Sequence, residues 1–343
     1  MKALFFDQHG ERDRLRYGDL PAPRVGPGEV RVAIRAAALN HLDIWVRRGW
    51  PGLTLSLPHV GGSDGAGEVT EIGPGVAGVA AGDRVCIDPG ISTRSDEWTR
   101  RGQDALSPGY QILGEHRPGT FAEQVVVPAD NLLPIPSGMS FAEAAAPLLT
   151  GLTAWHMLLT AGRLQAGESV LVVGAGGGVN TMAIQIAKLA GATVYAVTSG
   201  SEKVAKARDL GADQVLDYRA EPEWSKAIFS LSGRRGVDVV VDNVGQATLR
   251  QSLRALSPGG RLLQVGNTSG FDFQMDLRLM FVKQISWIGS TMGSHQEFRD
   301  MMQQVFLGRL RPVIDRVLPL REGVHAIELM EAGRQFGKLV LEP

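Results

Sequence analysis

The residues best placed to do chemistry form a glycine-rich turn, Gly174-Ala-Gly-Gly-Gly-Val-Asn180. Glycine without a Cβ lets a pyrophosphate approach the backbone N–H groups at the start of a helix. The chemistry implied is dinucleotide binding, with Gly174, Gly176, Gly177, Gly178 and Val179 as the cradle. A bare glycine pattern also occurs as an ordinary helix cap, so the flanking elements decide. Ser169–Val173 before the turn is an apolar run that reads as a buried parallel strand. Met182, Ile186 and Leu189 after it share one helical face, Gly191 stops the helix, and Thr193–Val197 reads as the next strand. Together they make one βαβ unit.

The end of that second strand bears on which dinucleotide is held. An acidic residue there takes the ribose hydroxyls of NAD(H). Thr198, 20 positions after Gly178, is neutral, as are Ser199 and Gly200. Lys203 lies just beyond, and Tyr218-Arg219 close the next apolar stretch. Lys203 also suits a solvated helix surface. The missing acid and the cation together favour NADP(H) over NAD(H).

The chain has 343 residues, enough for two cores. Its net charge of −1 steers it toward neither nucleic acid nor an anionic membrane. No apolar stretch reads as long enough to cross a bilayer, and no signal peptide precedes the first strand. The single cysteine, Cys86, excludes an intrachain disulfide and fits a cytoplasmic location. Up to about residue 130 the pattern is short strands and turns, such as Lys2–Phe6 and the alternating Val30, Val32 and Ile34. A loop from Asp88 to His116 interrupts it. Helical segments then alternate with strands at Val237–Val241, Leu262–Val265 and Ile285–Ile288, as a doubly wound α/β sheet requires. His295–Leu307 reads as an amphipathic helix and Lys338–Leu341 as a last strand returning to the first module.

These features together resemble the medium-chain dehydrogenase/reductase superfamily of zinc alcohol dehydrogenases and zinc-free quinone reductases. The resemblance rests on Gly28-Glu-Val-Arg-Val32, Gly65-Ala-Gly-Glu-Val69, Gly73-Pro-Gly-Val76, Gly82-Asp-Arg-Val85, Gly151-Leu-Thr-Ala-Trp155, the glycine turn and Gly337-Lys-Leu-Val340. It implies a GroES-like β-barrel-type catalytic domain over residues 1–147 and 296–343, and a Rossmann dinucleotide-binding domain over 148–295.

The departures from the family pattern carry the functional reading. Its catalytic zinc uses two Cys and one His. By flanking residues, these positions hold Asn40, Ser63 and Leu149, with Asp64 beside the His position. Neutral amide and hydroxyl oxygens are weak zinc donors, and leucine is none. The structural-zinc cysteines, spaced C-x₂-C-x₂-C-x₇-C, correspond to Thr93, Asp96, Thr99 and Ser107. Both metal sites are erased in this reading, and the loop must be held by other contacts or be mobile. Leu42 stands at the family's relay hydroxyl. His41 fits a pyrophosphate contact or a proton donor, and equally a helix-cap or surface histidine. Asp43 reads as structural. Asp64 fits a general acid/base, but more simply a carboxylate paired with a local cation.

The expectation is a zinc-free, NADPH-dependent reductase of quinones, enones or aldehydes, with NADH the weaker cofactor. Thr153 and Val179 would back the nicotinamide, and backbone around Val265, Gly266 and Ser290 would hold its carboxamide. Asn243 joins the cofactor-binding set. Asn40 is the leading donor to developing oxyanion charge, with His41 and Asp64 completing the catalytic candidates. Trp45, Trp50 and Leu53 suit an apolar substrate pocket or simple core packing. Two alternatives stay open: a metal-dependent alcohol dehydrogenase with His41 and Asp64 as atypical ligands, and a non-catalytic NADPH-binding protein. Ile285–Gly289 reads as an edge strand, which favours a homodimer or homotetramer.

Overall fold

The computed structural model describes residues 1–343. The chain forms two compact units: Met1–Thr150 with Ser294–Phe306 and Pro312–Pro343, and Gly151–Gly293 with Leu307–Arg311. The cuts fall a few residues from the boundaries expected at 147/148 and 295/296, and the short Leu307–Arg311 segment groups with the second unit.

In the first unit, Glu29–Ala38 is the central strand of a seven-stranded sheet. Val30, Val32 and Ile34 are buried while Arg35 is exposed, as the alternation requires. This strand pairs antiparallel with Asp64–Ile72, Gln124–Pro128 and Lys338–Glu342. The last strand therefore does return to the first module, where it also pairs parallel with Ile314–Pro319.

The loop after Asp88 is held by hydrogen bonds. Gly90–Ser92 pairs antiparallel with Tyr110–Ile112. Between them Asp96 caps the short helix Glu97–Arg100, its Oδ1 accepting from the N–H groups of Trp98 at 2.9 Å and Thr99 at 3.1 Å. Its Oδ2 accepts from Ser107 Oγ at 2.6 Å, and Thr93 Oγ1 donates to the Gly109 carbonyl at 2.8 Å. All four structural-zinc positions thus hold this loop with polar contacts. The helix His295–Phe306 anchors its base: His295 Nδ1 lies 2.7 Å from Asp88 Oδ2, and Nε2 lies 3.0 Å from Ser92 Oγ.

The second unit is built on six parallel strands. From edge to edge they run Gln214–Asp217, Thr193–Thr198, Ser169–Val173, Val237–Asp242, Leu256–Gln264 and Ser286–Gly289. Counted along the chain, that is third, second, first, fourth, fifth, sixth. Chain direction across the sheet reverses between Ser169–Val173 and Val237–Asp242, whose outer ends form the switch point where such sheets bind ligands. Val170, Leu171, Val172 and Val239–Val241 are fully buried, which explains their unbroken apolar runs. Ser286–Gly289 is an edge strand. Leu189, read as part of the buried helix face, is 45% exposed at the helix end.

One expectation about membranes needs correction. The helical run Phe141–Ala161 has 21 residues and is apolar enough to cross a bilayer by length and composition. Most of it, 72%, is buried within the protein, as in a core helix.

Candidate active site

Three strand ends in the first unit converge on Ala38. Asp64, the first residue of its strand, lies opposite Ala38 in the antiparallel register. Val340 lies opposite Ala38 from the other side, which brings Lys338 to the same place. Asn40 follows two residues later and starts the helix His41–Arg48.

The side chains meet in a buried polar centre. Lys338 Nζ donates to Asp64 Oδ2 at 3.0 Å and, through a very short contact, to Asn40 Oδ1. Asn40 Nδ2 donates to Asp64 Oδ2 at 3.0 Å and to the Ala38 carbonyl at 3.5 Å. Asp64 Oδ1 accepts from the Leu149 N–H at 2.8 Å. Asp64 is 0% exposed, and Lys338 and Asn40 are each 4% exposed. Burial raises the Asp64 carboxyl above its ordinary range, against the pull of the Lys338 charge and the hydrogen bonds from Asn40, Lys338 and Leu149. Removing one member of such a pair costs about 3–5 kcal/mol, because the other is left charged and buried.

Asp43 supports this centre from below. Its Oδ2 accepts from the Asn40 N–H at 2.7 Å and its Oδ1 from the Gly62 N–H at 3.2 Å, the structural role read from the sequence. Burial pushes its carboxyl up to about 7, while those N–H groups and Lys338 oppose the shift. Two buried hydroxyls on residues adjoining members of the centre in sequence have no hydrogen-bond partner: Ser63 Oγ, on the residue before Asp64, and Thr150 Oγ1, on the residue after Leu149.

Of the expected catalytic residues, Asn40 and Asp64 come together and His41 does not join them. The His41 ring packs edge-on against Trp45 at 5.1 Å. Burial lowers its pKa, with Arg48 acting in the same direction, so the ring is neutral near pH 7. The reading of Asn40 as a free oxyanion donor is corrected, because its amide already binds Asp64 and the Ala38 carbonyl. Asp64 is the ion-paired carboxylate, and its partner Lys338 escaped the sequence reading. Trp50, proposed for an apolar pocket, is 40% exposed.

These residues do not fit a catalytic zinc. Asn40 Oδ1 and Asp64 Oδ2 both accept from an ammonium, Ser63 offers a hydroxyl and Leu149 nothing. No group of three or more His, Cys, Asp or Glu side chains is arranged to hold a metal. A dication beside the Lys338 charge would be repelled.

The dinucleotide turn of the second unit does fit its cofactor. Gly174 has φ +83°, and a Cβ there would meet Val244 Cγ2 at 3.2 Å. Gly177 caps the helix Gly178–Leu189 without a side chain, which leaves the N–H groups of its first turn available to phosphate oxygens. Asn180 braces the turn: Nδ2 donates to the carbonyls of Val173 at 2.8 Å and Gly174 at 2.7 Å. Asn243 Nδ2 donates to Asn180 Oδ1 at 2.8 Å, and Asn243 Oδ1 accepts from the Val265 N–H at 3.2 Å. The expected Gly174, Asn243 and Val265 are thereby linked across the switch point, through an asparagine the sequence reading had left out of the site.

At the far end of the unit, the Tyr218 N–H donates to the Thr198 carbonyl at 3.0 Å. Lys203 lies in the first turn of the helix Ser201–Asp209. Asp217, missed in the sequence, is the register partner of Thr198, and its Oδ2 accepts from the Gly200 N–H at 3.0 Å. The loop is therefore not free of carboxylate as read. Thr153 is 3% exposed in the helix Leu148–Trp155, and Val179 and Gly266 are part-buried.

Comparison with known proteins agrees with this architecture. Residues 26–137 match the alcohol dehydrogenase GroES-like domain, and residues 178–306 match the family described as zinc-binding dehydrogenase. A solved NAD-dependent alcohol dehydrogenase is 45% identical, with TM-score 0.96 and 100% of both chains covered. The zinc-type alcohol dehydrogenase-like protein YogA of Leptosphaeria maculans is 34% identical over 96% of this chain and 94% of its own. An acryloyl-coenzyme A reductase of Metallosphaera sedula is 30% identical over 99% of each. With both domains matched and these relatives aligned along their whole length, the chain belongs to the zinc-type alcohol dehydrogenase-like members of the medium-chain dehydrogenase/reductase family and is an oxidoreductase.

Proposed function

We propose that this enzyme passes hydride from NADPH, in preference to NADH, to a quinone, an enone-type carbonyl compound or an aldehyde, without zinc. The observation that carries the reading is the Asn40–Asp64–Lys338 centre, where an ammonium binds Asn40, at a position that corresponds to a zinc ligand, and Asp64, next to another. The bound nicotinamide supplies the hydride. The glycine turn would hold the pyrophosphate, Thr153 and Val179 would back the ring, and backbone at Val265, Gly266 and Ser290 would hold its carboxamide. Acceptors whose negative charge delocalises suit a centre that offers hydrogen-bond donors rather than a dication. The relative named acryloyl-coenzyme A reductase supports the conjugated-carbonyl class.

The test is NADPH consumption with a quinone, an enone, an acryloyl thioester and an aldehyde, each with and without chelator. Turnover unaffected by chelator is expected; loss of activity on chelation rejects the zinc-free reading. Lys203→Ala should narrow the preference for NADPH about fivefold, or ~1 kcal/mol. Equal binding of both cofactors by the unaltered enzyme rejects the specificity assignment.

A second reading is NAD-dependent alcohol oxidation. It is favoured by the relative of that name at 45% identity and by Asp217 beside the Thr198–Gly200 loop. Faster turnover with NAD and a simple alcohol than with NADPH and any acceptor would select it. Either reading accommodates a homodimer or homotetramer joined along Ser286–Gly289, which light scattering would register as a multiple of 36.8 kDa.

A further inference from the structure

We infer that Asn180 and Asn243 are positioning residues that couple the two halves of the dinucleotide site, fixing the backbone that would hold the nicotinamide carboxamide against the turn that would hold the pyrophosphate. The inference rests only on dinucleotide binding, which both readings above share. All the residues concerned lie in the second unit.

The two side chains form a relay of amides. Asn180, in the first turn of the helix Gly178–Leu189, is 4% exposed. Its Nδ2 donates to the last carbonyl of the strand Ser169–Val173 and to the Gly174 carbonyl that opens the turn. Its Oδ1 accepts from Asn243 Nδ2, and Asn243 Oδ1 accepts from the Val265 N–H. Only one orientation of each amide satisfies this chain, because an NH2 group cannot accept and an amide oxygen cannot donate. Donor follows acceptor throughout, so the bonds polarise one another in one sense.

Asn243 is itself held at a junction. Asp242 before it is 0% exposed and accepts from the N–H groups of Val244 at 2.9 Å and Gly245 at 3.1 Å. It also accepts from Thr248 Oγ1 at 2.9 Å and Ser252 Oγ at 2.6 Å. Four donors on one buried carboxylate fix the backbone from which Asn243 projects. The Asn243 carbonyl accepts from the Thr268 N–H at 3.4 Å, and the Val244 carbonyl from the Ser269 N–H at 2.8 Å and Ser269 Oγ at 2.7 Å. The segment after the strand Leu256–Gln264 thus hangs from Asn243 and Val244 at Val265, Thr268 and Ser269. Packing ties the same pair of residues to the turn, since Val244 Cγ2 lies 3.2 Å from the place a Cβ on Gly174 would take. A displacement of the turn is therefore carried to Val265, and one at Val265 back to the turn, as coupling between sites must be reciprocal.

The test measures binding rather than turnover, on the unaltered enzyme, Asn180→Ala, Asn243→Ala and the double variant. One probe is whichever of NADPH and NADH the unaltered enzyme binds more tightly, followed by nicotinamide fluorescence. The other is ADP-ribose with the matching 2′ group, which lacks the nicotinamide, followed by calorimetry. Asn243→Ala leaves the bonds of Asn180 to the turn in place, so it reports on the relay even if Asn180→Ala folds poorly. Each single variant should lose about tenfold in dinucleotide affinity, and the double variant should fall within about threefold of the singles, because all three break one relay. Asn243→Ala should hold its affinity for the ADP-ribose probe within about threefold, which a merely structural brace of the turn would not do. The assignment is overturned if the single losses multiply to about 100-fold in the double variant. It is also overturned if Asn243→Ala binds the dinucleotide unchanged, or loses the ADP-ribose probe as far as the dinucleotide. In each of these cases the dinucleotide-binding reading survives. An unaltered enzyme that binds neither NADPH nor NADH overturns that reading and this assignment together.

Discussion

Two regions of the first unit correspond to metal sites, and polar side chains have filled them differently. Around Asp96 most of the replacements reach the surface: Thr93 is exposed, Asp96 and Thr99 are part-buried, only Ser107 is buried, and their hydrogen bonds close the loop. Around Asp64 they are sealed from water, and an ammonium and a carboxylate face each other. The difference teaches that burial decides what polar side chains at positions matched to a metal site can do. Near the surface, water competes for every donor, so a few hydrogen bonds of about 1 kcal/mol each restore local order and little else. In the interior the same exchange leaves charges that are expensive to separate, and such charges can act on a substrate.

The largest expected consequence is in stability. Asp64→Ala should lower the unfolding free energy by about 3–5 kcal/mol, read from urea melts, because Lys338 stays charged and buried. Asp96→Ala should cost only about 1–2 kcal/mol, the value of a lost helix cap with its hydrogen bonds. If the two variants proved equally costly, the contrast between the regions would be broken.

The pH dependence sharpens the same contrast. Burial raises Asp43 to about 7 in the folded state, so the folded protein holds that proton more tightly than the unfolded chain. Its contribution is full below about pH 4 and is lost as pH rises toward 7. Asp96 has the opposite sign. Its hydrogen bond from Ser107 holds the carboxyl below the usual range, so its contribution is present near neutrality and lost on acidification. Comparing Asp43→Asn and Asp96→Asn with the unaltered protein across pH 2–7 should show slopes of opposite sign, for Asp96 mostly below about pH 4 and for Asp43 between about pH 4 and 7; slopes of one sign would contradict the burial argument.

Much of the second unit was legible in the sequence, because its signals are local. Valine-rich runs, a glycine turn and a helix stop lie within a few residues of one another and fix a βαβ unit. What escaped there depends on pairing: Asp217 matters only because the parallel register sets it beside Thr198. The first unit was harder for the same reason. Asn40, Asp64 and Lys338 are scattered along the chain, and only the antiparallel pairing at Ala38 gathers them. The sequence reading found Asn40, Ser63 and Leu149 at the positions matched to zinc ligands, but not that Lys338 binds Asn40 and Asp64. It also assigned Asn40 a free amide that the fold commits to Asp64.

The most direct test of the central claim is metal content together with turnover, measured on protein equilibrated with excess zinc and then desalted. The account predicts far less than one zinc per chain and enone turnover equal to that of chelator-treated protein. One zinc per chain, with turnover that depends on it, would contradict the account.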